Sequence, residues 1–108
     1  MKPGEKETRR IVAERSGGVC EICCEHRGTN MHHRKNASQG GPWSPENIMH
    51  LCGTGTMGCH GWVTMNPEAA NLLGFSLKSW QNPAEEPIPF GDNQYLLLPD
   101  GTRDGWTS

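Results

Sequence analysis

The chain has 108 residues, room for one domain, and only 33% of them are hydrophobic, against roughly 45–50% in ordinary globular domains. Burial alone barely offsets the entropy of ordering in so thin a core, so a disulfide framework or a structural metal is needed, and five Cys with five His offer the means. A net charge of −2 excludes a uniformly basic nucleic-acid coat, and no apolar run approaches the ~20 residues that span a bilayer.

The opening Met1-Lys2-Pro3-Gly4-Glu5-Lys6-Glu7 carries no apolar stretch of the signal-peptide kind. Five is also an odd number for a paired framework. The expectation is a cytoplasmic protein whose cysteines act as thiolate ligands rather than disulfides. Charge is uneven: residues 1–36 hold eight Lys/Arg against five Asp/Glu, and residues 37–108 hold two against seven. A phosphate-facing surface therefore belongs in the N-terminal third, unless the asymmetry is only a solvated helix face beside an acidic tail.

Glu5 to Arg15 is charged, carries Ile11, Val12 and Ala13, and stops at Ser16-Gly17-Gly18, which predicts a basic first helix within residues 1–16. Cys20-Glu21-Ile22-Cys23 fits a knuckle-like turn. Asn30-Met31-His32-His33 reads as a short strand, and Asn36 to Pro42 supplies loop residues. Ile48 to Cys52 then reads as the second strand of a hairpin. From Cys59-His60 to Phe75 the pattern is helical, with Pro67 near a first turn and Gly74 at the end. Asn82 to Pro89 has too much proline for a helix interior and is expected to be extended or irregular. Tyr95-Leu96-Leu97-Leu98 predicts one short strand, and Arg103 to Ser108 is expected to fray. The segments fall into residues 1–16, a zinc-stabilised core at 17–77, and a Pro-rich extension at 78–108.

Cys20 and Cys23 lie one tight turn apart, and Cys52 with Cys59 can close a second loop, so four thiolates can surround one tetrahedral Zn²⁺. The six-residue gap between Cys52 and Cys59 is wider than usual. Cys24 is a possible substitute for Cys23, and His26 and His50 are further possible ligands with solvated or capping roles as the ordinary alternative. His32 and His33 must point to opposite sides of a strand. They suit two jobs: one imidazole binds a catalytic metal while its neutral neighbour accepts a proton from water. Arg34 and Lys35 follow directly and are candidate contacts to a nucleic-acid backbone. Trp43 and Trp62 read as packing residues, since a thin core needs its aromatics.

Taken in order, Cys20-x2-Cys23, His32-His33, Gly40-Gly41, Asn47-Ile48, Leu51-Cys52 and Cys59-His60 resemble the HNH endonucleases, over roughly Arg15 to Gly74. The Gly58 to Val63 segment, Asn66-Pro67 and the late Pro-rich stretch look like HNH proteins of tailed phages of actinobacteria, often encoded beside the DNA-packaging terminase. The resemblance implies an α+β, ββα-metal (His-Me finger) domain with a structural zinc knuckle. In it His33 is the general base, Asn47 the middle letter that braces the loop, and His60 the last letter. His32 takes a metal-ligand position, so that His32 and His60 hold one catalytic Mg, Mn, Ni or Zn ion. DNA is the implied substrate, terminase subunits possible partners, and the host cytoplasm the expected location. Thr64 departs from relatives that carry a further His there, leaving the third ligand unassigned. A zinc-stabilised nucleic-acid or protein binding module without catalysis is the alternative, but such a module needs none of His32, His33, Asn47 and His60.

Overall fold

The first helix, α1, spans Glu5–Ser16 and ends where Gly17 turns left-handed at φ 66°. There the N–H groups of Gly17 and Gly18 close back on the carbonyls of Glu14 and Ala13, which satisfies the last turn in the way a left-handed glycine allows. Its buried residues are Thr8 and Val12, so the helix rests one narrow face on the strands below. The computed structural model describes residues 4–106.

After α1 the chain makes the expected knuckle. Val19 bridges Arg27, and the N–H groups of Cys20 and Cys24 reach His26 O and Cys20 O. Strand β1 (Asn30–His33) then pairs antiparallel with β2 (Ile48–Leu51), with His32 opposite Met49 and His33 opposite Ile48. A 3₁₀ turn at Ala37–Gln39 lies in the loop between them. All four β2 residues are buried, consistent with a strand covered by α1 on one face and the core on the other.

The helical stretch after Cys52 is two helices rather than one, α2 (Gly58–Met65) and α3 (Pro67–Leu72). Asn66 breaks it, with ψ 61° outside the helical region, because the ring of Pro67 disfavours a helical residue before it. Proline at the first position of α3 in turn suits a new helix start.

The C-terminal third departs most from expectation. Instead of one strand and a frayed end, β3 (Ile88–Phe90), β4 (Asn93–Leu97) and β5 (Arg103–Trp106) form an antiparallel three-stranded meander. Pro83–Glu85 forms a further 3₁₀ turn. Pro89 sits in the edge strand β3, where a missing N–H is tolerated. Ile88 and Leu97 join Met49, Leu51, Val63 and Phe75 in a single apolar cluster that includes Cys20 and Cys52. Among the described residues the fold is thus α+β, with few short strands and three short helices around one small core. No helix among the described residues is long and apolar enough to cross a membrane.

Candidate metal centres

Cys20, Cys23, Cys52 and Cys59 present sulfurs that all lie within 4.8 Å of one another, so together they can hold a metal ion such as zinc. The wide gap between Cys52 and Cys59 is closed by a tight turn: Thr54 N–H bonds Met57 O at 2.9 Å and His60 N–H bonds Cys52 O at 3.0 Å. Gly53 (φ 89°) makes that turn possible, since a Cβ there would lie 2.0 Å from Met57 O. The Cys59 N–H also points at Cys52 Sγ, 3.5 Å away. All five cysteines are free thiols, and Cys24 is exposed rather than part of the cluster. His26 is exposed, and His50 Nδ1 pairs with Ser16 Oγ at 2.8 Å; neither enters it.

The electrostatics of the cluster suit a cation. Burial resists ionisation of Cys23, but the N–H groups of Glu25 and His26 and the thiols of Cys20 and Cys59 outweigh it and bring Cys23 down to about 7. Burial and the neighbouring thiols push Cys59 up, and burial does the same to Cys52. Several sulfurs packed together cannot all ionise without a positive charge among them.

The knuckle is fixed by a buried ionic hub. Arg15 donates from Nε and Nη2 to the two Glu21 carboxylate oxygens at 2.8 and 2.9 Å, from Nη1 to the carbonyl of Pro45 and from Nη2 to that of Ile48. Glu21 also accepts from the N–H of His50 at 2.8 Å and from Arg103 of β5 at 2.9 Å. Four separate segments meet at one carboxylate. Charged residues at this spacing give no sequence signal of such a hub.

A second candidate site lies where β1 faces α2. The His32 and His60 rings meet at 5.6 Å between centroids and line a pocket of about 270 Å³ with Asn36, Val63, Thr64, Pro67 and Ser76. His32 Nε2 pairs with the carbonyl oxygen of Phe75 at 2.7 Å. A carbonyl can only accept, so the proton sits on Nε2 and Nδ1 is left bare for a ligand. Burial lowers the His32 pKa to about 4, with a smaller opposing pull from Phe75 O, which keeps the ring neutral near pH 7. His60 has a buried Nδ1 with no hydrogen-bond partner. Two imidazoles beside an open pocket fit Mn²⁺, Ni²⁺ or Zn²⁺ better than Mg²⁺, which favours oxygen.

His33 turns the other way, as alternation along a strand requires. Its ring meets Trp43 edge to face at 4.5 Å, and it does not line the His32–His60 pocket. Nε2 of His33 is buried and unpartnered. Burial lowers its pKa, Arg9 lowers it further and Glu5 opposes. Trp43 packs as expected, under the Arg9 guanidinium at 4.8 Å, and Thr8 Oγ1 donates to its carbonyl at 2.9 Å. Trp62 is instead 42% exposed, because α2 turns that face away from the core.

Asn47 is fully buried at the foot of the loop that follows the histidines. Its Oδ1 accepts from Lys35 N–H at 2.8 Å, and its Nδ2 donates to the carbonyls of Lys35 and Pro42, each at 3.0 Å. Arg34 is not a nucleic-acid contact. The side chain is 1% exposed and donates to the carbonyls of Gly74, Glu46, Pro83 and Glu86 at 2.5–2.9 Å. Burial lowers its pKa to about 10, so it stays charged at neutral pH. Five donors in a planar fork can bind several chain segments at once, and a cation after a His pair gives no hint of that. Lys35 is half-buried and remains the candidate of the two. On α1, Arg9 pairs with Glu5, and Arg10 with Glu7 and Glu14, which reduces the free positive charge of that helix.

Comparison with known family models, curated proteins and solved structures gives no match.

Proposed function

We propose that the chain is a metal-dependent DNA endonuclease of the HNH type that hydrolyses phosphodiester bonds. The observation that carries this reading is the meeting of the His32 and His60 rings over an open pocket, beside His33 with its unpartnered Nε2. The family assignment, the DNA substrate and the phage setting beside a packaging terminase in a host cytoplasm rest on the sequence resemblance.

His33, kept neutral by burial, takes a proton from water as the water oxygen bonds to phosphorus and the bond to the 3′ oxygen breaks. His33 follows His32 directly in β1 but turns to the other face, so it acts on the water rather than holding the ion. His32 and His60 would hold a divalent ion, which would supply positive charge at the scissile phosphate and the departing 3′ oxygen. Phe75 O fixes the ring orientation and tautomer of His32. Lys35 meets the neighbouring phosphate backbone, and the four cysteines hold a structural zinc that fixes the start of α2 and with it His60.

Metal content tests the two centres separately. Purified His32→Ala and His60→Ala are expected to keep one tightly held zinc and lose the exchangeable ion that Mn²⁺ or Ni²⁺ titration detects. Release of the zinc by His60→Ala, with His32→Ala unaffected, would assign His60 to the thiolate cluster and remove one ligand from the proposed site.

A further inference from the structure

Two imidazoles alone make an incomplete site for an ion that must also grip phosphate, and the lining of the pocket offers few other donors. Val63 and Pro67 have none, and the Thr64 hydroxyl keeps its lone pairs but is tied back along its own helix by its bond to His60 O at 2.9 Å. Asn36 and Ser76 remain. Asn36 occupies the cap position of the 3₁₀ turn, where an asparagine side chain ordinarily accepts an N–H from the turn it precedes; here it makes no such bond. Its backbone carbonyl does that work, accepting from Gln39 and Gly41 at 2.9 Å each, which leaves the side-chain amide free beside His32 and His60.

The backbone at Asn36 is held from both sides. Asn47 grips both the N–H and the carbonyl of Lys35 and, across the loop, the carbonyl of Pro42. Gly41 closes the loop so tightly that a Cβ there would lie 1.7 Å from Lys35 O. From this geometry we infer that Asn36 supplies an oxygen ligand to the divalent ion of the His32–His60 pocket, and that the buried Asn47 brace serves to place it. This rests on the metal site of the proposed function and gives it a mixed nitrogen and oxygen donor set, suited to Mn²⁺. A neutral amide leaves the ion's full charge available to the phosphate.

Calorimetric titration of the zinc-loaded full chain with Mn²⁺ reads this without any cleavage. Asn36→Ala is expected to weaken Mn²⁺ binding by about tenfold or more, Asn36→Asp to restore or tighten it, and Ser76→Ala to leave it unchanged. Substoichiometric Mn²⁺ is expected to broaden the Asn36 side-chain amide signals in the wild type. If His60→Ala abolishes Mn²⁺ binding while Asn36→Ala binds as the wild type does, the Asn36 assignment alone is overturned. Wild-type Mn²⁺ affinity in both His60→Ala and Asn36→Ala overturns the imidazole site and the Asn36 assignment with it.

Discussion

Replacing Arg34 by Met keeps the length of the side chain and removes a buried cation that ties four segments together. Each of its hydrogen bonds, made by a charged donor, is worth about 1.5–3 kcal/mol net. They do not add, and losing a desolvated charge returns part of the loss. The carbonyls of Glu46, Gly74, Pro83 and Glu86 would still be left without this donor. A destabilisation of about 3–5 kcal/mol is expected, a large share of the roughly 5–15 kcal/mol of a typical domain. Arg34→Lys, with its charge but without the planar fork, should recover only part of it. Urea unfolding of the zinc-loaded protein, followed by circular dichroism, gives the comparison, with Lys35→Met as a control expected within about 0.5 kcal/mol of the wild type. If Arg34→Met unfolds at the wild-type midpoint and loses DNA affinity instead, the buried structural role argued for Arg34 is wrong.

Cys20→Ser and Cys59→Ser should release zinc and lower the unfolding midpoint far more than Cys24→Ser; equal midpoints for the three would count against the four-sulfur cluster. Glu21→Gln leaves Arg15 buried without its counter-charge and is expected to cost about 3–5 kcal/mol, measured by the same urea titration. Burial opposes the charge of Glu21, but Arg15, the N–H of His50 and Arg103 outweigh it and hold the carboxyl below its usual range. Its stabilisation is therefore present above about pH 4.3 and is lost as pH falls through the lower folded value. Between those two pH values the wild type should lose more stability than Glu21→Gln, and parallel acid profiles would refute the pairing. His33→Ala should abolish cleavage while the folded state and the bound metals persist; loss of the exchangeable ion in that variant would make His33 a ligand.

The features that were legible in the sequence are those set by local chemistry. Gly17 after a charged, partly apolar stretch fixed the end of α1, the breakers between Asn36 and Pro42 separated two strands, and Cys20-x2-Cys23 with Cys52 and Cys59 gave all four sulfurs of the cluster. Opposite orientations for His32 and His33 followed from alternation along a strand. What escaped depends on contacts between distant segments. The role of Arg34 is defined by carbonyls 12 to 52 residues away, and Glu21 reaches Arg103 across 82. The meander of β3 to β5 was hidden by Pro87 and Pro89, which suppress a strand signal although an edge position tolerates them. Asn36 looked like one more loop former, since a side chain that declines to cap its own turn leaves no trace in the sequence.

The proposed nuclease is tested most directly by incubating supercoiled plasmid with the zinc-loaded chain in Mg²⁺, Mn²⁺, Ni²⁺ or added Zn²⁺, alongside His33→Ala and His60→Ala prepared with the same zinc content. Nicked or linear DNA is expected from the wild type, most with Mn²⁺ or Ni²⁺, and none from either variant. Intact plasmid under all four metals, or cleavage by His60→Ala at the wild-type rate, would contradict the assignment of His32 and His60 to a catalytic metal site.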